Sequence, residues 1–344
     1  MRSPRAAFRD PQGLVYHGVA LAYALGAYGL GIAGLFHASP WVNGLATLLL
    51  AHGMTISAYL VHECAHNSVF RRNAPNARLG RFLCWVCGAS YGTFEDIRGK
   101  HLRHHVDVDD IVWFDHERFF RDHPLCLRIT RVLEWFYIPA QELIMHFILA
   151  FTSFVIPQRR DQRARNLAVI ALRGGVYLAT LWFFPKVALL YALAYMIMLT
   201  ILRSMDSLQH DYDYNPILFS DEPPPRRGDR VFEQEHTFSN PLSFRYEWLN
   251  WLTLNFGYHN AHHARASVPW FRLPALHREL FGDDPSKVIP LWPQLVIFHK
   301  YRVQRISAVG RDEPVEAPWG HAFLEAARAA NVTGGNAASF LTSF

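Results

Sequence analysis

The stretch VNGLATLLLAHGMTISAYLVHECAH, residues 42–66, contains the two features that decide the fold of this chain. Its residues 42–61 carry no Asp, Glu, Lys or Arg and are as long as the apolar helix that crosses a bilayer. His62 and His66 follow directly, four residues apart, and therefore lie on one face of the continued helix. The pattern predicts a membrane span with two histidines where the helix leaves the bilayer.

Three further apolar segments predict spans. Residues 14–36 form one of them, and only a short turn separates them from the span 42–61, so these two spans form a hairpin. Residues 167–184 and 187–202 form a second hairpin around Pro185 and Lys186, although they are shorter and include Arg173. The segments between and after the hairpins hold nearly all Lys and Arg, so the positive-inside rule places them and both termini in the cytoplasm.

Two later segments repeat the clustered histidines. The first reads HLRHH and places His101, His104 and His105 within five residues. The second reads HNAHH, with His259, His262 and His263 at the same spacing. Neutral imidazole is a common ligand of iron, zinc and copper. Eight such histidines are too many for one four-coordinate ion, so their number predicts two metal ions close together.

Two segments leave the topology open. Residues 80–92 are apolar but short, which indicates a re-entrant or interfacial segment. Residues 132–156 are long enough to span but contain Glu134 and Glu142. A full crossing there would put the third histidine cluster on the opposite side from the first two. We therefore expect an amphipathic helix in the membrane interface, which keeps all three clusters on one side.

The composition agrees with a membrane protein. Charged residues make up only 18% of the chain, and the net charge is +5. Such a basic excess is typical of loops that face anionic lipid, and no nucleic-acid-binding motif is present to suggest another partner. The four cysteines, including Cys84 and Cys87, are expected to be packed thiols rather than disulfides.

These patterns predict an integral membrane protein with four transmembrane helices in two hairpins, interfacial helices and histidine clusters that converge at the cytoplasmic membrane surface. Residues 1–304 are expected to form a single membrane domain, followed by a tail over residues 305–344. The active site is expected on the cytoplasmic side, in a bacterial inner membrane.

The boxes HECAH, HLRHH and HNAHH, with their positions relative to the spans, resemble those of the membrane fatty acid desaturase and hydroxylase superfamily over roughly residues 40–280. The resemblance implies an all-α integral membrane protein whose cytoplasmic helical cap holds a centre of two non-haem iron ions. It implies that this centre uses O2 as co-substrate to cleave an unactivated C–H bond of a fatty acyl chain. It implies as iron ligands the eight box histidines His62, His66, His101, His104, His105, His259, His262 and His263.

The end of the fourth span extends the resemblance. In acyl-CoA desaturases an Asn and a His four residues apart end this span, and the His is a ninth ligand. His210 matches that His, and His236 is the alternative. Asp206 replaces the Asn, and we predict it as a catalytic residue that either binds iron or orients a ligand histidine. This departure leaves plain desaturation in question.

Several other polar residues near the boxes have two interpretations. Glu63, Asn255 and the acidic residues Asp107, Asp109 and Asp110 either support ligand histidines or are ordinary helix and turn residues.

The expected function is O2-dependent oxidation of a fatty acyl chain by desaturation. Hydroxylation, and oxidative decarboxylation of free fatty acids to terminal alkenes, are the alternatives within the superfamily. The substrate is a fatty acid, an acyl thioester or a lipid. We find no fused cytochrome b5, no rubredoxin-like pair of CxxC motifs and no flavin or NAD fingerprint. An external ferredoxin, rubredoxin or cytochrome b5 is therefore expected to supply electrons at the basic cap.

Two other classes of protein fit the histidines less well. A metal transporter would place its ligands near the bilayer midplane, within the spans. A zinc hydrolase would need about three ligands and a water, which leaves most of these histidines unused.

Overall fold

The computed structural model describes residues 4–113, 115–212, 216–219, 223–305 and 319–333. Within these ranges the chain is mostly helical, and its β-structure is confined to isolated bridges. The α-helices are α1 (Gly13–Leu35), α2 (Pro40–Ala65), α3 (Asn73–Val86), α4 (Phe94–Asp107), α5 (His116–Asp122), α6 (Pro124–Trp135), α7 (Ala140–Val155), α8 (Arg163–Phe183), α9 (Pro185–Asp206), α10 (Arg230–Glu235), α11 (His259–Ala264), α12 (Leu273–Phe281), α13 (Leu291–Tyr301) and α14 (His321–Arg328).

The chain divides into two compact units. The first consists of Met1–Arg98 and Ile144–Ile201, and the second of Gly99–Leu143 and Leu202–Ser343. The first unit holds α1, α2, α3 and α8, and the second holds the short helices from α10 to α14.

Four helical segments are long and apolar enough to cross a membrane: Gly13–Leu35, Pro40–Ala65, Pro157–Phe183 and Pro185–Asp206. Each contains most of a predicted span, so the prediction of an all-α protein with four long apolar helices is confirmed for the described residues. Three of them begin at a proline, Pro40, Pro157 or Pro185, where the ring fixes a helical φ and the first turn requires no backbone N–H. The third gains an extra turn of 3₁₀ helix at Pro157–Gln162.

Close packing in the first unit depends on small residues. A Cβ added to Gly31 of α1 would lie 2.7 Å from the Cβ of Leu50 in α2. A Cβ added to Gly53 of α2 would lie 2.9 Å from the carbonyl oxygen of Ala24. The two backbones therefore approach so closely that these positions have no room for a side chain, as in many membrane helix pairs.

The two segments whose membrane topology the sequence left undecided, residues 80–92 and 132–156, differ in structure. Residues 80–92 are divided between the end of α3 and a turn at Gly88, whose φ is +89°. Residues 132–156 do not form the single helix that we expected. The chain leaves α6 at Trp135, passes Tyr137 at a φ of 61° and starts α7 after Pro139. A residue that precedes proline is disfavoured in the helical region, which accounts for the break.

The second unit has a core to which the C-terminal part of the chain contributes. Phe323, Leu324 and Ala327 of α14 pack with Leu208 and Ile297 in one buried apolar cluster. No helix is predicted from the sequence within the tail 305–344, yet the described residues 319–333 of this tail include α14. The rest of that tail lies outside the described residues, except for Arg305.

Candidate metal centre

Three elements of the second unit carry the histidines of the site. His101, His104 and His105 lie on the last turns of α4, and the third box forms the short helix α11. His210 follows α9 in a backbone bridge with Thr237. All these imidazoles are buried.

His104, His210, His259 and His263 form what we call the four-histidine cluster. Their ligand nitrogens all lie within 4.8 Å of one another. The Nε2 atoms of His210, His259 and His263 are separated by only 3.0 to 3.1 Å. Each of these nitrogens is either a donor or an acceptor, so the three contacts among them cannot all be hydrogen bonds. Two nitrogens bound at right angles to a metal, at about 2.1 Å each, are about 3.0 Å apart, so this spacing fits a metal ion.

His101, His105 and His262 form a second group, the three-histidine cluster. The Nε2 atom of His105 lies 3.2 Å from that of His101 and 3.2 Å from that of His262. The rings of His101 and His262 are 6.2 Å apart between centroids and nearly parallel. The two nitrogen separations are close to those of the four-histidine cluster and to the spacing of two nitrogens bound to one metal ion.

The first box lies in the first unit. His62 is on the last turn of α2 and His66 is the residue that caps this helix. Their ring centroids are 4.8 Å apart, and both side chains are buried. The structure thus brings together the two histidines of the first box in one unit, and the six histidines of the other boxes with His210 in the second.

The Nδ1 atoms of two of these histidines have oxygen partners. Nδ1 of His104 donates to the carbonyl oxygen of Asp109 at 2.8 Å, and Nδ1 of His263 donates to Oε1 of Glu233 at 2.8 Å. A proton on Nδ1 leaves the lone pair of Nε2 for a metal, which is the usual arrangement of a histidine ligand.

Burial keeps these imidazoles neutral. It lowers the pKa of His104 to about 4. It also lowers the pKa of His105, His210, His259 and His263 well below the usual value, and neighbouring imidazoles add to the effect. A neutral imidazole is the form that binds a metal ion.

The acidic residues after the second box differ in their surroundings. Asp107 is paired with Arg103 at 2.7 Å and with Arg227 at 3.7 Å. Asp109 contributes its backbone oxygen to His104. Oδ1 of Asp110 lies 3.6 Å from Nδ1 of His104 and 3.8 Å from Nδ1 of His210. Asp110 is therefore the carboxylate of this turn that faces the four-histidine cluster.

Asp206 is buried at the end of α9 but belongs to neither cluster in the described part of the chain. Its charge acts on Lys100 and Asp110. Burial lowers the pKa of Lys100 to about 7, although both carboxylates oppose this shift. Burial, together with the charge of Asp206, also raises the pKa of Asp110 well above its usual value.

The other candidate residues lie outside the clusters. His236, the alternative to His210, donates from Nδ1 to Asp211 at 2.7 Å and stacks on Phe232. Glu63 accepts a hydrogen bond from Ser68, and the side chain of Asn255 donates to the carbonyl oxygen of Trp270.

Glu233 and Lys100 were not predicted from the sequence. Neither stands at a ligand spacing. Only Lys100 gives a signal, because it directly precedes His101.

Comparison with known proteins agrees with this site. The family model described as fatty acid desaturase matches residues 39–294, which include all three histidine boxes. No curated protein matches the chain. Proteins of this family are membrane-bound oxidoreductases that act on fatty acyl chains and generally depend on two irons, and the four apolar helices and buried histidines fit both properties. The chain therefore belongs to the fatty acid desaturase family, within the membrane desaturase and hydroxylase superfamily.

Proposed function

We propose that this protein is a di-iron enzyme that uses O2 to desaturate a fatty acyl chain. The observation that carries the proposal is the convergence of buried Nε2 atoms at 3.0 to 3.2 Å in two histidine clusters of the second unit. Such nitrogen-rich sites suit iron, and the family match gives the substrate class.

We assign as iron ligands the eight box histidines and His210. His62 and His66 enter this set through the resemblance of the first box, and the other seven are also supported by the distances within the second unit. Two irons bound there would supply the redox chemistry that lets O2 attack an unactivated C–H bond.

The residues of the chain itself hold and shield the ligands. Asp109 and Glu233 accept the Nδ1 protons of His104 and His263, which fixes these rings with Nε2 toward the metal. Burial excludes water from a site where a strong oxidant would otherwise be quenched.

Asp206 fits the second of its two predicted roles. Asp206 interacts electrostatically with Lys100 and Asp110, and the Asp110 carboxylate faces His104 and His210. These interactions support a role for Asp206 as a positioning residue that acts through Asp110. We propose this role in place of direct iron binding.

The location and the electron donor rest on sequence. The distribution of Lys and Arg supports an active site on the cytoplasmic side of a bacterial inner membrane. An external ferredoxin, rubredoxin or cytochrome b5 would deliver electrons to the basic cap, and the substrate would be a fatty acid, an acyl thioester or a lipid.

The acidic residue at position 206 favours a second candidate outcome. Because acyl-CoA desaturases have Asn there, the carboxylate of Asp206 is a reason to consider oxidative decarboxylation to a terminal alkene, or hydroxylation, by the same site.

Product analysis decides among these reactions. Cells that express the protein are fed deuterated fatty acids, and products are identified by mass spectrometry, including the headspace. We expect an in-chain alkene of unchanged carbon number. His104→Ala should abolish the product, whereas His123→Ala, which removes an exposed histidine outside both clusters, should retain it.

A volatile terminal alkene one carbon shorter, or a hydroxy acid, would contradict desaturation and support the second candidate. Equal product from His104→Ala and the unchanged protein would contradict the metal site itself.

A further inference from the structure

We propose that Glu233 is a positioning residue for both histidine clusters, one carboxylate that orients a ligand in each. This inference rests on the proposed di-iron function. It assigns Glu233 to the Nδ1 side of the ligand rings, opposite to the Nε2 atoms that converge on the metals.

The contacts of Glu233 differ between its two oxygens. Oε1 accepts the Nδ1 proton of His263, in the four-histidine cluster, at 2.8 Å. The same oxygen lies 3.8 Å from Nδ1 of His105, in the three-histidine cluster. The second distance is beyond a hydrogen bond, so the effect of Glu233 on His105 is electrostatic and weaker.

The two rings that share this carboxylate are themselves in contact. The centroids of His105 and His263 are 4.1 Å apart, and their planes are tilted by 36°. A shift of either ring therefore displaces the other, and one oxygen is placed to hold both.

The carboxylate is itself fixed by its helix. Oε2 accepts from Arg230 at 2.5 Å, one turn earlier on α10, and the carboxyl group is fully buried while Arg230 is exposed. The side chain of Asp229 caps the start of this helix by accepting from the backbone N–H of Phe232. Glu233 thus has little freedom to move away from the imidazoles.

A carboxylate that accepts the Nδ1 proton of a ligand holds the tautomer with a free Nε2 and makes this nitrogen more basic. Loss of such a partner typically costs about 10- to 100-fold in metal affinity. Because Glu233 faces a ligand of each cluster, its loss should weaken both sites, and the four-histidine cluster more strongly.

The test is an anaerobic titration of the metal-free, full-length protein in detergent with Co²⁺, which takes the same kinds of ligand as Fe²⁺ and has visible d–d bands. Bound cobalt per chain is measured by mass spectrometry of the metal, and the ligand field by the visible d–d bands. The unchanged protein should bind two Co²⁺. Glu233→Gln should lower the Co²⁺ affinity of the four-histidine cluster by about 10- to 100-fold and that of the other site by less. It should also alter the d–d bands when both sites are filled.

Glu134→Gln is the matched control. Glu134 is also a fully buried carboxylate of the second unit that pairs with an arginine, Arg203, but it contacts neither cluster. This variant should keep both affinities and the d–d bands. Arg230→Gln, at an exposed position, should fold normally and give a smaller loss than Glu233→Gln.

Each failure has a distinct signature. If the unchanged protein binds fewer than two Co²⁺, the proposed di-iron function is wrong. If it binds two, and Glu233→Gln binds both with unchanged affinity and spectrum, only the role of Glu233 is wrong. Equal losses in Glu134→Gln would also overturn that role, because they would reflect general destabilisation.

Discussion

Histidine spacing carries much of the information at the scale of single residues. The i, i+3, i+4 pattern fixes which imidazoles share a helix face, and the six histidines of the second and third boxes meet in the second unit. Asp109 is among the residues proposed from the sequence to support the box histidines, but the atom that His104 contacts is its backbone carbonyl oxygen. Glu233, the partner of His263, lies on a separate helix and was not predicted. Such contacts depend on tertiary packing, which has no local signature.

An experiment on Asp206 can separate its two predicted roles, direct iron binding and the positioning of a ligand histidine. Asp206→Asn removes a buried negative charge beside Lys100. If Asp206 acts on charge alone, we expect the iron content to stay at two per chain. The free energy of unfolding should fall by roughly 1–3 kcal/mol, because the buried ammonium loses one of its carboxylates.

Iron content is measured by mass spectrometry of the metal, and stability by thermal unfolding of the same sample. A drop in iron content, while the metal-free forms of Asp206→Asn and of the unchanged protein unfold at the same temperature, would instead identify Asp206 as a ligand. Asp284→Asn, at an exposed carboxylate of the second unit, is the control and should change neither quantity.

Individual helices were predictable where one physical effect dominates. A long apolar run favours a helix, so the four long apolar helices follow from the sequence, including the one that contains Arg173. The break between α6 and α7 was missed because apolar length outweighed the local effect of Pro139. Helix α14 was missed because it is short and gains its stability from Leu208 and Ile297, which lie far away in sequence.

The α1–α2 pair makes a prediction at this scale. Gly31→Ala would place a methyl group 2.9 Å from the Cα of Leu50, which can move only if the helices separate. We expect a loss of about 1–3 kcal/mol in stability, the typical cost of overpacking. Gly29→Ala is the matched control, because a Cβ there meets nothing within 4 Å.

Thermal unfolding in detergent measures both variants. Gly29→Ala should be neutral or slightly stabilising, since alanine favours a helix more than glycine does. Equal unfolding temperatures for the two variants would show that the glycine contact does not hold the pair together.

At the scale of the whole molecule, the metal ions and the fold of the second unit are expected to stabilise each other. The seven clustered histidines of this unit come from α4, from α11 and from the segment after α9, which are distant in sequence. A metal that binds only the folded arrangement raises the unfolding temperature. Removal of the metal by a chelator should therefore lower it.

The pH dependence of this stabilisation follows from the direction of the histidine pKa shifts. Burial lowers the folded-state pKa of His104 to about 4, whereas an unfolded histidine has a pKa of about 6.5. Between these values the unfolded chain binds more protons than the folded one, so stability falls as the pH drops from about 6.5 toward 4. Protons also compete with metal for the same nitrogens. We expect the unfolding temperatures of loaded and metal-free protein to differ most near pH 7.5 and to converge near pH 5. A difference that stays constant over this range would mean that the metal is not held by these imidazoles.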